Sequence, residues 1–408
     1  MTAGKLRVAV VGTGRWAQMA HIPGWQRDPR AEVVALADVS PLALVEAARK
    51  FGVPRTVTDY RELLADPGID VIDVVTGNQP HFRISCDALR AGKHVLCEKP
   101  VHTDYAKTRE AAELARSKGL KTKLGFTFRY APAIQYAKEL IDAGFVGEPY
   151  IFNGYEQNSQ WIDPATPLRQ FDPDADPATV AVSSIEGYGS PIIDIMHWWL
   201  DAPLRAVVGT MRNFVPERMI RDTGRMTRAN IDDGDMWIAE FGSGAIASIQ
   251  SSYVTVGNYP GIEARLFGSK GAIIVRLVDE FGICQTIKTA RKDAVEFTEA
   301  EIPARFFPAG GNSRESWDYL FYSNLIADFI TEILDGGPAN QGDFGQGALV
   351  QETINAFEAS FRRRAWVDFP LAGAPADGTA PADGTAPADG TAPPGGTAPP
   401  GGGGQASR

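Results

Sequence analysis

An α/β N-terminal domain on a parallel sheet, followed by an α+β C-terminal domain with an open, mostly antiparallel sheet, is the fold class that the sequence predicts. Three observations lead there. The chain has 408 residues, more than the roughly 250–300 at which a single core stops growing. Short Val/Ala/Leu-rich runs alternate with longer amphipathic stretches from Lys5 to about residue 125, the pattern of βαβ units. Beyond Gly147 the texture changes to successive strand-like runs separated by glycine-containing turns, the pattern of an antiparallel sheet.

Taken in order, LRVAVVG, AEVVALADV, DVIDVVTG, KHVLCEKP and KTKLGF read as the N-terminal strands. Pro41 to Phe51 and Tyr105 to Lys118 have helical apolar spacing and end beside Gly52 and Gly119, as helix C-termini commonly do. In the second half PYIFNGYEQ, DMWIAEFG, AIASIQSSYVTV, EARLFGS and AIIVRL read as strands. Helical patterns at Tyr322 to Leu334 and Gly347 to Arg363 are expected to cover one face of their sheet. Asn158 to Ser183, rich in Pro, Asp and Gln, reads as a long loop near a site, with Trp161 and Arg169 placed either against a ligand or simply in solvent. From Ala374 a repeat of Ala-Pro-Ala-Asp-Gly-Thr drifts into glycine; it has no large apolar side chains to bury and is read as an inert disordered tail. The expected divisions are 1–124, 125–371 and 372–408.

Composition narrows the function. Hydrophobic residues are 44%, charged residues 22% and the net charge is -10, with the basic residues dispersed, which argues against a nucleic-acid or membrane surface. A small molecule is the expected partner. Cys86, Cys97 and Cys284 form no CxxC pair, so neither a disulfide framework nor a thiolate metal site is expected. No N-terminal leader and no apolar run of about 20 residues is visible, and the expected location is the cytoplasm.

Gly12-Thr13-Gly14-Arg15-Trp16-Ala17 follows the first strand and opens a helix. This is a GxGxxA fingerprint: the first glycine permits the tight turn, the second lets a pyrophosphate approach, and the helix N-terminus favours its charge. The second strand ends at Asp38, about 20 residues on, where a carboxylate accepts bonds from ribose hydroxyls and repels a 2′-phosphate. The N-terminal domain is therefore a Rossmann domain, and NAD is favoured over NADP.

Over roughly residues 5 to 370 the chain resembles the Gfo/Idh/MocA family of sugar and cyclitol oxidoreductases. The resemblance rests on Cys97-Glu98-Lys99-Pro100, on Thr76-Gly77-Asn78 through His81, on Gly125 through Arg129, Tyr130 and Pro132, and on Asn324 through Asp335-Gly336 to Glu358-Ala359-Ser360. It implies that Thr76, Asn78, His81, Glu98 and Lys99 border the cofactor. It also implies that Lys99 reaches the reacting oxygen, where an ammonium stabilises developing negative charge and relays a proton, and that Arg129 and Tyr130 line the substrate pocket.

One segment departs from the family's pattern. Many members carry an Asp and a His four apart, followed by a second Asp and a Trp. Aligning Asp194 and Trp198 with the latter two puts Gly187 and Pro191 at the first two positions, so the usual acid/base pair is missing. Ser190 then reads as an N-cap and Pro191 as the first helical residue. Asp194, Tyr188, His197 and Glu186 remain as substitutes, Asp194 also as a substrate ligand, with His197 alternatively a packing residue.

Three activities stay open. One is hydride transfer at a secondary hydroxyl or ketone of a sugar, cyclitol or nucleotide-linked sugar, C3 among the carbons. The second is an NAD-binding sensor or partner subunit without turnover. The third is a bound-NAD redox relay for elimination or glycoside cleavage. A sheet with one uncovered face further implies a homodimer or homotetramer.

Overall fold

Strands buried on both faces read as continuous apolar runs, and this is how the first sheet is built. The structure, a computed structural model, describes residues 4–168, 180–221, 223–256, 261–277, 285–312, 314–336 and 342–371. Arg169, Cys284 and the tail from residue 372 lie outside the described residues. Strands β1 (Leu6–Val11), β2 (Ala31–Ala37), β3 (Thr56–Val57), β4 (Val71–Val74), β5 (His94–Cys97) and β6 (Thr122–Leu124) are all parallel, in the order β3-β2-β1-β4-β5-β6. A π turn (Ala17–His21) leads directly into α1 (Ile22–Arg27), followed along the chain by α2 (Pro41–Phe51), α3 (Arg61–Leu64), α4 (His81–Arg90) and α5 (Tyr105–Ser117). The strand order reverses direction between β1 and β4, and ligands of such sheets bind in the crevice at the carboxyl ends beside that point. The glycine motif after β1, Thr76 after β4 and Lys99 after β5 all lie at these ends.

The second sheet has nine strands among the described residues. Helix α6 (Pro132–Asp142) precedes β7 (Pro149–Gln157); a second π turn (Ile185–Gly189) runs into α7 (Ser190–Leu200). Then come β8 (Leu204–Arg212), the hairpin β9 (Glu217–Ile220) and β10 (Arg225–Arg228), β11 (Gly234–Phe241), β12 (Ile246–Ser252), β13 (Gly261–Gly268), β14 (Gly271–Leu277), β15 (Gln285–Arg291) and β16 (Thr298–Glu299). The chain closes with α8 (Trp317–Leu334), α9 (Phe344–Arg363) and β17 (Val367–Asp368). The order is β16-β15-β14-β13-β7-β12-β11-β8-β17, antiparallel except where β7 lies parallel to β12.

One face of this sheet is covered and the other is open. A side chain at Gly154 would meet Ile192 at 2.5 Å, so glycine there lets α7 settle on β7. On the opposite face Ile151, Met236, Ile238 and Ile246 are exposed.

Helix α8 corrects one expectation. Its Leu325, Ile326, Phe329 and Ile330 are buried with Val8, Val10 and Trp25, so it covers the first sheet and not the second. Four such side chains contribute about 1.5–3 kcal/mol each. Lys123, buried on β6, reinforces the docking through Asp328 and Glu332 of α8. Apolar periodicity marks a buried helical face but does not say which sheet buries it.

Candidate active site

The glycine motif is held by close approach. Gly12 has φ 98°, and a Cβ there would lie 2.5 Å from the Val75 carbonyl oxygen; a side chain would push β1 and β4 apart at the crevice. Gly14 and Arg15 are exposed and Ala17 is buried, so the motif offers bare backbone outward and packs inward. Open space surrounds the Cβ position of Gly14, leaving the room a pyrophosphate needs. One Asp38 oxygen accepts from the Thr13 amide at 2.7 Å and hydroxyl at 3.0 Å, while the other accepts from the Ser40 amide at 2.9 Å. The carboxylate thus braces the glycine loop and retains lone pairs for ribose hydroxyls. These residues fit NAD. Thr76 is half-buried and Asn78 exposed on the loop after β4. His81 is buried, its ring nitrogens 2.8 Å from the Pro100 carbonyl and 3.1 Å from that of Thr76. It ties the two loops together and so positions them.

Beneath Lys99 lies a buried ionic network absent from the sequence reading. His21 Nδ1 lies 3.0 Å from both Asp73 oxygens, and its Nε2 lies 3.0 Å from Glu98 Oε1. Trp25 donates to Asp73 at 2.8 Å; Trp16 donates to Glu98 at 3.1 Å, and the Tyr322 hydroxyl also donates to Glu98. Burial works against charge on His21, but the carboxylates of Asp73 and Glu98 outweigh it and hold the imidazole up to about 10. Burial likewise opposes the Glu98 carboxylate, yet His21, Tyr322 and Lys99 bring it down to about 2. Asp73 is a lone acid in an otherwise apolar central strand, and that oddity was the available signal.

Lys99 Nζ donates to the Gly187 carbonyl at 2.5 Å. The reason is legible in Pro191. In an α ladder the residue-187 carbonyl would receive the N–H of residue 191, and proline has none. The freed carbonyl takes the ammonium. The helix itself begins earlier than expected: Asp232 accepts from the amides of Ser183, Ser184 and Ile185, capping a helix that runs from Ser184 through the π turn into α7. Ser190 is therefore not an N-cap; its hydroxyl donates to the Glu186 carbonyl. The cap comes from 40 or more residues downstream, where local sequence could not reveal it.

The substitutes for the missing pair fall in different places. Asp194 is fully buried, gripped by Arg129 at 2.7 and 2.5 Å, and bonded by Gln346 at 2.9 Å. Seven residues beyond Gly187, it lies about 10 Å further along the helix. Arg129 and Asp194 are thus paired in a bidentate ion pair away from Gly187, with Arg129 also lining a cavity. Tyr130 is buried, with the Lys123 ammonium 5.5 Å from its ring centroid. His197 lies 2.9 Å from the Thr353 hydroxyl, which donates to the Leu349 carbonyl; the imidazole is therefore the donor. Burial, with Arg129 nearby, pulls it down to about 3, and it is a neutral packing histidine. A cavity lined by Arg129, His197, Trp198 and Gln346 includes neither Lys99 nor Gly187 in its walls.

Tyr188 and Glu186 flank Gly187, the acceptor of Lys99, on the same π turn. Tyr188 donates to Gln160 at 2.8 Å, and its ring meets those of Trp161 and Tyr253 at 6.0 and 5.9 Å. Glu186 lies 3.4 Å from Gln351, and burial lifts its carboxyl to about 7. Glu156 on β7, unforeseen, is buried near Lys99. Its strand parity with Phe152 and Gly154 marks it as inward-facing.

A parallel sheet with a dinucleotide crevice and a half-buried lysine at its carboxyl edge, joined to a large mixed sheet, defines a two-sheet NAD-binding oxidoreductase. Residues 6–126 match the oxidoreductase family with an NAD-binding Rossmann fold, and residues 134–274 match the GFO/IDH/MocA C-terminal domain. The chain belongs to the Gfo/Idh/MocA family. Levoglucosan dehydrogenase of Pseudarthrobacter phenanthrenivorans is 25% identical over 83% of this chain and 90% of its own length. The scyllo-inositol 2-dehydrogenase (NAD(+)) of Bacillus subtilis is 27% identical over 66% of this chain and 74% of its own. Among solved structures, levoglucosan dehydrogenase with NADH shares the fold at TM-score 0.78, with 23% identity over 90% of this chain and 99% of that one. An NAD-binding oxidoreductase from Klebsiella pneumoniae gives TM-score 0.79, with 24% identity over the same shares. No helix among the described residues is long and apolar enough to cross a membrane.

Proposed function

We propose that the protein moves a hydride to or from a secondary hydroxyl or ketone carbon of a sugar or cyclitol, C3 of a pyranose being one candidate carbon. The observation that carries this reading is Lys99, fixed through Gly187 at the carboxyl end of β5. Bound NAD supplies the hydride acceptor or donor. Lys99 then holds the substrate oxygen and steadies its developing negative charge, while Gly12, Gly14, Arg15, Trp16, Ala17, Asp38, Thr76 and Asn78 shape the cofactor crevice, with His81 and Glu98 fixing its floor. The dehydrogenases of levoglucosan and scyllo-inositol among the relatives support the substrate class. Trp161, Tyr188 and Tyr253, packed against one another beside Gly187, provide an aromatic wall suited to the apolar face of a sugar ring.

Gly187 and Pro191 favour a second reading, a member that binds NAD without turnover. The decisive experiment offers NAD and a panel of free sugars, glycosides, cyclitols and nucleotide sugars deuterated at the ring carbons. Deuterium recovered in the nicotinamide identifies both substrate class and carbon. Tight NAD binding with no transfer from any compound favours the non-catalytic reading. We also place a homodimer or homotetramer contact on the open sheet face at Ile151, Met236, Ile238 and Ile246, and the protein in the reducing cytoplasm, where buried Cys86 and Cys97 stay free thiols.

A further inference from the structure

Under the turn that carries Gly187 runs a row of buried acids. Ser251 on β12 is the registered partner of Glu156 on β7 and of Asp235 on β11, and side chains paired laterally lie on one face of a sheet. That face looks at the π turn: a Cβ at Gly189 would lie 3.2 Å from Ser251 Oγ. The Ser251 hydroxyl donates to Asp235. Glu156 is 5% exposed, and its Oε2 has no hydrogen-bond partner among the described residues. Leaving a buried carboxyl oxygen unmet is costly, and such a group in a native protein calls for an explanation. Burial pushes the Glu156 carboxyl well above the usual range, with the Lys99 ammonium pulling the other way. The neighbouring charges are Lys99 from the loop after β5, Asp235 across Ser251, and Glu186 of the π turn, which also feels Lys99; Ile262, its partner on β13, is apolar.

We propose that Glu156 is the proton acceptor and donor behind Lys99, standing in for the acid/base side chains that Gly187 and Pro191 do not provide. This rests on the hydride-transfer reading above. In the oxidative direction the C–H hydrogen leaves with its electron pair to the oxidant, NAD. The substrate O–H bond breaks and its proton passes to Lys99 Nζ as an Nζ–H proton passes to Glu156 Oε2, through one bridging water or after the ammonium swings off the Gly187 carbonyl, since Oε2 has no direct partner among the described residues of the resting site. The hydroxyl becomes a carbonyl, Lys99 keeps its original proton count, and the Glu156 carboxylate ends as a carboxylic acid. Reduction reverses each transfer. Glu156 acts on the substrate through Lys99 and is in this sense a positioning and proton-storing residue.

The test pairs infrared spectroscopy with kinetics on the full chain. Followed as the pH is raised from below the usual carboxylate range of about 4.3, the wild type is expected to show a carboxylic-acid C=O band that persists above that range, that Glu156→Gln removes and that Glu186→Gln retains. In Lys99→Met, which withdraws the favourable cation, the same band should persist to pH at least about one unit higher. Glu156→Gln should lower kcat by about a hundredfold or more and flatten its pH profile, with NAD affinity within about twofold. If Glu156→Gln does not fold, Glu156→Asp keeps a carboxyl, and its band should shift in position and midpoint. A band that survives Glu156→Gln, one indifferent to Lys99, or wild-type turnover with the wild-type pH profile in Glu156→Gln overturns the proposal. A Lys99-dependent Glu156 band in a protein that oxidises no sugar contradicts the proposed activity while supporting the Lys99–Glu156 proton pair.

Discussion

Lys99 stands between two buried acidic clusters that treat charge in opposite ways. On the nucleotide side, Asp73 and Glu98 share the His21 imidazole and take further bonds from Trp25, Trp16 and Tyr322. On the substrate side, Glu156 has an unmet oxygen and Asp235 has the Ser251 hydroxyl, with Oδ1 unmet. A cluster with its own cation is held in one protonation state across the neutral range. A cluster without one has its carboxyls pushed by burial well above the usual carboxylate range. The first suits a rigid floor for the cofactor loops, the second a place to store a proton.

The sharpest way to break this contrast is to remove the shared cation of the first cluster. His21→Ala leaves two buried carboxyls unmatched and should cost on the order of 3–5 kcal/mol of folding stability, read by chemical denaturation; a loss below about 1 kcal/mol would mean the cluster is not a structural anchor. Its pH dependence gives the same answer without mutation. The raised imidazole contributes stability that is complete below its unfolded value of 6.5 and fades as pH climbs toward about 10. The lowered Glu98 contributes above its ordinary 4.5, and that part fades as pH falls toward about 2. Stability from this network should therefore peak between these limits.

A smaller effect is expected at Asp38. Asp38→Ser removes the repulsion of a 2′-phosphate and should shift the NAD to NADP preference by roughly tenfold or more, about 1.4 kcal/mol, in paired binding titrations. Pro191→Ala should act more mildly still: the restored N–H competes with Lys99 for the Gly187 carbonyl, and kcat should fall by a few fold, within about 1 kcal/mol, without loss of NAD affinity. Unchanged kcat would mean that this tether does not set the position of the ammonium.

The two sides of Lys99 also differed in how far the sequence exposed them. The nucleotide side is local chemistry: Gly12, Gly14 and Asp38 sit at fixed spacings around strand ends, and the Glu98-Lys99-Pro100 run follows a strand, so each role follows from order along the chain. Even there the His21–Asp73–Glu98 network stayed hidden, because it joins a helix and two strand ends across 77 residues. The substrate side is assembled from distance. Asp232 caps a turn that begins at Ser183, α8 returns to the first sheet, and Glu156 faces Lys99 because of its parity on β7. Asp194 was a candidate because it aligns with the second Asp of the family's pattern, yet it is paired with Arg129. His197 was open to either a catalytic or a packing reading, and its imidazole is bonded to Thr353.

The central claim is that Lys99 acts on the substrate and not on cofactor binding, and the most direct measurement compares Lys99→Met with wild type for NAD affinity and for NADH formation over a sugar panel. The expected result is affinity within about threefold and turnover reduced by about a hundred- to a thousandfold. Undiminished turnover, or a loss confined to NAD binding, would contradict it.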